Sequence, residues 1–132
     1  MIVLDACAIV DVVLDQASSS WVLDQLAGQE ICAPAHQPAE VVSALARLVR
    51  AGDLDVVTAT AAADEFSALE QELVAPTRDH LRRALHAQER VRVLDGLYIA
   101  LAEDRRCALV TTDRRLGRSG AGADIRTPPP AS

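Results

Sequence analysis

The sequence predicts an α/β protein: three layers, α/β/α, around a short, mostly parallel central sheet. Short apolar runs alternate with longer stretches whose apolar residues recur at helical spacing, the pattern of strand–helix–strand units. The runs are apolar throughout rather than at every second residue, as in strands covered on both faces. Breakers fall between the segments, with Gly28, Pro34 and Gly52 each closing one.

Ile2-Val3-Leu4 is the first strand, ended by Asp5. A short helix over 8–14 follows, then a second over 18–27 that opens on serines and stops before Gly28. Residues 30–33 form the next strand. In 38–51, Val41, Leu45 and Leu48 stand at i, i+4 and i+7, Val42 and Val49 widen the stripe, and Gly52 ends the helix. Residues 61–74 read as one helix with Ala62, Phe66, Leu69 and Leu73 on a common face. Thr77-Arg78 is marked as a short strand, with Asp79 capping a helix through Leu81 and Leu85. The clearest helix is 94–105, where Leu94, Leu97, Tyr98 and Leu101 occupy i, i+3, i+4 and i+7. Residues 108–111 form a buried strand, and Ile125 centres a short edge strand. No repeat or linker divides the chain, so one domain spans 1–127. The tail from Arg126, and 128–132 above all, is expected to be extended and mobile, because three consecutive prolines join neither a helix nor a central strand.

Half of the 132 residues are hydrophobic, enough for a buried core. Trp21, Phe66 and Tyr98 are the only aromatics, so stacking of bases on aromatic platforms is not a major means of binding. The net charge of −6 runs against the basic excess of nucleic-acid-binding domains. Two points weaken that objection. All 13 basic residues are arginine, whose planar fork gives paired hydrogen bonds to phosphate; and acids that bind divalent cations are neutralised by them. Cys7, Cys32 and Cys107 are an odd number without a CxxC pair, which implies a reducing compartment and neither disulfides nor a zinc site. The first residues lack a signal-peptide pattern and no apolar run is long enough to span a membrane, so a cytoplasmic location is expected.

The placement of four acids is the informative feature. Asp5 follows the first strand and Asp113 lies just beyond the strand at 108–111. Glu40 and Asp95 sit in the first turns of the helices that begin near 38 and 94. In a parallel α/β sheet, carboxyl ends of strands and amino ends of the following helices share one edge, where ligands bind. Two like charges ~4 Å apart repel by roughly 4 kcal/mol at an effective dielectric of 20. Four acids on one rim therefore call for a cation, and all-oxygen ligation suits Mg²⁺ or Mn²⁺. Such a site performs phosphoryl transfer. Asp5, Asp95 and Asp113 are the expected metal ligands, and Glu40 completes the catalytic set by positioning metal or water. Singly, each acid is explained as well by helix amino-end or turn preference; four on one rim reverse that balance. Thr111 and Thr112 are placed to orient Asp113 or a nearby water. Arg114, Arg115 and Arg118 flank the rim as phosphate contacts, with a solvated basic face as an equal alternative. Glu103 is a weaker fifth acid, and Asp11, Asp15 and Asp24 are read as solvated.

Four segments now form a pattern: IVLDACAIV at 2–10, PAEVVSALARLVRAG at 38–52, LDGLYIALAE at 94–103 and LVTTDRRL at 109–116. Together, in this order and spacing, they resemble the PIN-domain ribonucleases, specifically the VapC toxins of VapBC toxin–antitoxin systems. The resemblance covers nearly the whole chain and implies a PIN-like fold. It carries the family's acidic cluster onto Asp5, Glu40, Asp95 and Asp113. It also implies Mg²⁺ or Mn²⁺ dependence, RNA as substrate, a homodimer and neutralisation by a VapB-type antitoxin. Cys7 stands where the family usually has Ser or Thr beside the first acid, a weaker donor in that supporting position. Leu94 stands where an aromatic is often found, and 74–92 is divergent. With so few aromatics, recognition through backbone and shape is expected, hence a structured RNA such as tRNA. The apolar stretches Val12–Leu14 and Trp21–Leu23 are either core or an interface; the resemblance favours a groove for an amphipathic antitoxin segment.

Two other readings compete. A receiver-like signalling module is also small, acidic and parallel α/β, but it needs paired acids after its first strand and a lysine near its last. Asp5 stands alone and the chain has no lysine. A non-catalytic interaction module, with the acids as helix caps, predicts no metal binding.

Overall fold

Strands β1 (Ile2–Leu4), β2 (Ile31–Pro34), β3 (Glu72–Val74), β4 (Ala108–Val110) and β5 (Ile125–Arg126) form one sheet in the order β3-β2-β1-β4-β5. Every neighbouring pair is parallel, with Ile2 opposite Ile31 on one side and Ala108 on the other. The computed structural model describes residues 1–119 and 122–130. Its helices are α1 (Ala6–Val13), α2 (Ser19–Leu26), α3 (Gln37–Arg50), α4 (Val56–Ser67), α5 (Arg78–His86), α6 (Val93–Arg105) and the single turn α7 (Arg114–Gly117).

The period of two along the strands divides the core into two layers. Ile2, Leu4 and Val110 point to one side, among Ala8, Ile9, Val22, Val41, Leu45 and Phe66 from α1 to α4. Val3, Cys32 and Leu109 point to the other, against Tyr98, Leu101 and Ala102 of α6. This is the three-layer arrangement that the all-apolar runs predicted. α6 is the most enclosed helix, buried continuously from Asp95 to Ala102, because α5 covers the face turned away from the sheet. Gly96 permits that cover: a Cβ there would lie 3.0 Å from the Cα of Ala84.

The structure departs from expectation in three places. Residues 61–74 are not one helix. α4 starts earlier, where Asp55 accepts the Thr58 N–H at 2.7 Å, and stops at Ser67. Residues 72–74 are then spent as an edge strand, which leaves Leu73 about half exposed. Thr77-Arg78 is not a strand either. Thr77 caps α5 by accepting the His80 N–H at 3.0 Å, while His80 Nδ1 accepts the Thr77 N–H at 3.3 Å. Asp79 lies inside the first turn and pairs with Arg83. The tail is held further than its prolines suggested: Arg126 belongs to β5, Pro128 is buried, and the Pro129 carbonyl accepts from Arg114 at 3.1 Å. Residues 131 and 132 lie outside the described residues. No helix among the described residues is long and apolar enough to cross a membrane.

Candidate active site

The chain runs from β1 outward to β2 and β3, then returns to add β4 and β5 on the other side. The switch point lies between β1 and β4, and the carboxyl ends there open a crevice. Asp5 stands at that point, its N–H bonded to the Val110 carbonyl at 3.0 Å. It is 6% exposed. The fully buried Thr111 donates to Asp5 Oδ2 at 2.6 Å, and Thr111 Oγ1 in turn accepts the Asp113 N–H at 3.0 Å. Cys7 Sγ lies 3.1 Å from the same Asp5 oxygen and 3.2 Å from the Thr111 hydroxyl. Burial raises the Asp5 carboxyl above the ordinary carboxylate value. The Thr111 and Cys7 contacts offset part of that rise, and the charges of Asp95 and Glu40 add to it. Burial beside Asp5 pushes the Cys7 thiol up to about 12, so it is neutral.

Glu40 reaches the crevice from the first turn of α3. Tyr98 donates to its Oε1 at 2.9 Å. His36 Nε2 lies 3.1 Å from the same atom, out of line for a hydrogen bond, and neither ring nitrogen of His36 has a hydrogen-bond partner among the described residues. Burial works to raise Glu40, but His36, Tyr98 and the Arg92 charge outweigh it and hold the carboxyl below its ordinary value. The Tyr98 phenol is driven up by burial and by Asp5 and Glu40, so it stays a donor. Asp95, 8% exposed in the first turn of α6, accepts from Arg92 Nε at 3.1 Å. Asp113 caps α7 by accepting the Arg115 N–H at 3.0 Å and also accepts that guanidinium at 3.2 Å. Partial burial raises Asp113, and Arg115 more than compensates, leaving it below the usual range. Asp95 and Asp113 line one open cavity of about 240 Å³ with Arg90, Arg92 and Arg115.

Asp5, at the end of β1, is near enough to Glu40 and Asp95 for their charges to act on it, and Asp113 shares a cavity with Asp95. In this arrangement the last two are engaged by arginines, and among the described residues no three His, Cys, Asp or Glu side chains are near enough to hold a metal ion. The donor set still fits a hard divalent cation. It offers carboxylate oxygens only, its thiol is neutral, and Asp5 carries the unfavourable field of two acidic neighbours that a cation would relieve.

The supporting residues divide. Thr111 orients Asp5 and the Asp113 backbone, whereas Thr112 is directed at Cys7 and Asp11. Asp11 is accordingly half-buried rather than solvated. Of the three arginines expected at the rim, Arg115 is there, Arg114 holds the tail carbonyl and Arg118 is simply exposed. Glu103 is not a fifth acid of the crevice; it pairs with Arg83 at 3.3 Å. Three residues escaped sequence reasoning: Arg92, His36 and Tyr98. The first two sit at i−3 from Asp95 and i−4 from Glu40, spacings that pair side chains on a helix. Tyr98 was read as apolar stripe, yet it is three residues beyond Asp95 and carries a hydroxyl that a buried site must partner.

The PIN domain family model matches residues 2–121. This chain belongs to the PIN-domain family. It is similar over nearly its full length to relatives named as VapC ribonucleases. Ribonuclease VapC3 of Mycobacterium tuberculosis is 38% identical over 128 residues, covering 92% of this chain and 89% of that one. Ribonuclease VapC12 of the same organism is 33% identical over 126 residues, 95% and 97% of the two chains. The fold also matches solved structures. The crystal structure of M. tuberculosis VapC20, described as a Sarcin-Ricin loop cleaving toxin, superposes with a TM-score of 0.69 at 16% identity over 92% of this chain and 96% of that one. VapBC2 from Rickettsia felis, bound to a DNA fragment from its promoter, gives 0.68 at 14% identity over 96% and 98%.

Proposed function

We propose that this PIN-domain protein is a cytoplasmic endoribonuclease toxin that depends on Mg²⁺ or Mn²⁺ and is neutralised by a cognate VapB-type antitoxin. What supports the reading is that Asp5 lies in the field of Glu40 and Asp95 at the switch point, while Asp95 and Asp113 share a cavity with three arginines. A divalent cation held by Asp5, Asp95 and Asp113 supplies water activation and charge neutralisation at a phosphodiester. The protein's own groups do the rest. Thr111 fixes the rotamer of Asp5 through a short hydrogen bond, and Tyr98 fixes Glu40. Glu40, held ionised, is the group that orients and deprotonates an attacking water. Arg92 and Arg115, paired with Asp95 and Asp113, are also placed to grip a substrate phosphate at this cavity. Because the acid crevice offers no aromatic platform, contacts within it are to RNA backbone and shape, and a structured RNA such as tRNA is the expected substrate.

The partner surfaces belong to the same reading. Val12, Val13, Leu23, Leu26, Phe66 and Leu69 line an apolar groove of about 220 Å³ between α1, α2 and α4, on the side of the sheet opposite α6. An amphipathic antitoxin helix fits such a groove, and the active form is a homodimer. Trp21 is half-buried against the core, so the exposed Leu23 is the cleaner probe. Growth arrest on expression, relieved by the co-encoded antitoxin and less relieved for Leu23→Glu, is the expected behaviour.

The decisive experiment is cleavage of total RNA by purified protein. Cleavage with Mn²⁺, loss with EDTA and loss in Asp95→Asn with the fold intact are expected. Undiminished cleavage by Asp95→Asn in EDTA refutes the proposal.

A further inference from the structure

A further cavity, of about 330 Å³, lies in the cleft between α5 and α6. Its volume falls within the roughly 300–1,000 Å³ of sites that enclose small ligands. The floor is apolar and buried, built from Val91, Ile99 and Ala100 beyond the point where Ala84 and Gly96 bring the two helices together. Arg83, Arg90 and Glu103 add charged groups to its lining. Arg90, Val91 and Ser119 also line the acid cavity of Asp95 and Asp113, so the two spaces are neighbours. Glu103 stands eight residues beyond Asp95 on α6, about 12 Å by helical rise.

Resting on the ribonuclease reading, we infer that this cleft seats one base of the RNA, a guanine, beside the scissile phosphate. An unstacked base needs apolar cover, and in a chain with almost no aromatics the floor of Val91, Ile99 and Ala100 offers it to one face. Arg90, between the two cavities, is placed for the intervening backbone phosphate. Glu103 selects the base. A carboxylate is acceptor only, and guanine presents two adjacent donors, N1–H and N2–H, on its Watson–Crick edge. Each other base puts at least one acceptor in that place. Glu103 is available for exchange because its ion pair with Arg83 is the longest of three. Arg83 keeps Asp104 at 2.8 Å and Asp79 at 3.0 Å when Glu103, at 3.3 Å, turns to the base.

The test is cleavage of a randomised RNA oligonucleotide pool by the full chain with Mn²⁺, with sequencing of the new ends. Wild type is expected to enrich guanine about tenfold at one fixed position next to the cut, the discrimination a bidentate pair gives. Glu103→Gln, which replaces one acceptor by a donor, and Ala87→Trp, which fills the cleft from the end of α5, are each expected to flatten that peak. The readout is base preference, whatever the rate. A flat wild-type profile, or a guanine peak that survives both substitutions, overturns the subsite and leaves the nuclease reading standing. If wild type cuts no RNA, the nuclease reading fails and titration with 5′-GMP decides the subsite. Methyl shifts at Val91 and Ile99 that CMP does not produce and Ala87→Trp abolishes support it, and their absence overturns it.

Discussion

Thr111→Val removes one hydroxyl from the fully buried residue that holds the site together and keeps its shape. The hydroxyl donates to Asp5 Oδ2 at 2.6 Å and accepts the Asp113 N–H at 3.0 Å. A hydrogen bond to a buried charge contributes about 1.5–3 kcal/mol, and stranding the Asp113 amide, which stays partly solvated, adds about 1 kcal/mol. The expected loss at pH 7 in EDTA is thus about 2.5–4 kcal/mol, a large share of the roughly 5–15 kcal/mol of a typical domain. The loss depends on the charge of Asp5. Its carboxyl is raised above 3.8 in the fold, and removing the Thr111 donor raises it further. As pH falls through that elevated value the carboxyl protonates and the charge-assisted part of the bond disappears. The penalty of Thr111→Val must therefore shrink as pH falls through the folded value, from a high-pH to a low-pH measurement. Urea unfolding followed by circular dichroism at both pH values measures it. A penalty under about 0.5 kcal/mol, or one equal at both pH values, refutes the account of Thr111 as the support of an ionised Asp5. RNA cleavage is expected to fall about 10–100-fold, the usual effect of losing a partner of a metal-binding carboxylate.

Asp5→Asn should abolish cleavage yet raise the melting midpoint in EDTA at pH 7. The folded-state value of Asp5 lies above the unfolded one, so its ionised form costs stability at neutral pH and that cost is relieved as pH falls through the folded value; a lower midpoint at pH 7 would contradict this. Tyr98→Phe takes a donor from Glu40, whose lowered carboxyl contributes stability above its unfolded value, lost as pH falls through the folded one. The acid limb of the pH–rate profile should move to higher pH, and an unmoved limb would separate Tyr98 from Glu40. Gly96→Ala sets a methyl 3.0 Å from the Ala84 backbone, and overpacking of this kind costs about 1–3 kcal/mol by denaturant unfolding; an unchanged midpoint would mean that α5 moves freely on α6.

The acids at the crevice were legible because topology alone places them. A residue just past a parallel strand and one in the first turn of a helix share an edge whatever the packing is. The segment 61–74 misled because Phe66, Leu69 and Leu73 satisfy helical spacing while the chain actually leaves α4 at Ser67. Nothing local marks Glu72-Leu73-Val74 as a strand; its pairing with Cys32-Ala33-Pro34 defines it. Thr77 was mistaken because its capping partner three residues on is His80, not the Glu or Gln that usually completes the motif. Glu103 and Asp11 show the limit of reading acids one at a time. Their neighbours, Arg83 and Thr112, come from distant parts of the chain.

The position of β1 has a consequence for synthesis. β1 is the middle strand of the sheet, and one of its flanks is empty until Ala108–Val110 is delivered more than a hundred residues later. Closing so long a span is slow, and no shorter path completes the crevice. A ribosome-bound or truncated chain that ends before Asp113 carries Asp5, Glu40 and Asp95 without the strand that brings Thr111 to them. The groove of α1, α2 and α4, by contrast, is encoded entirely within residues 4–69. Until Thr111 has been made, Asp5 therefore lacks the donor that holds it, whereas every residue of the groove has already been made.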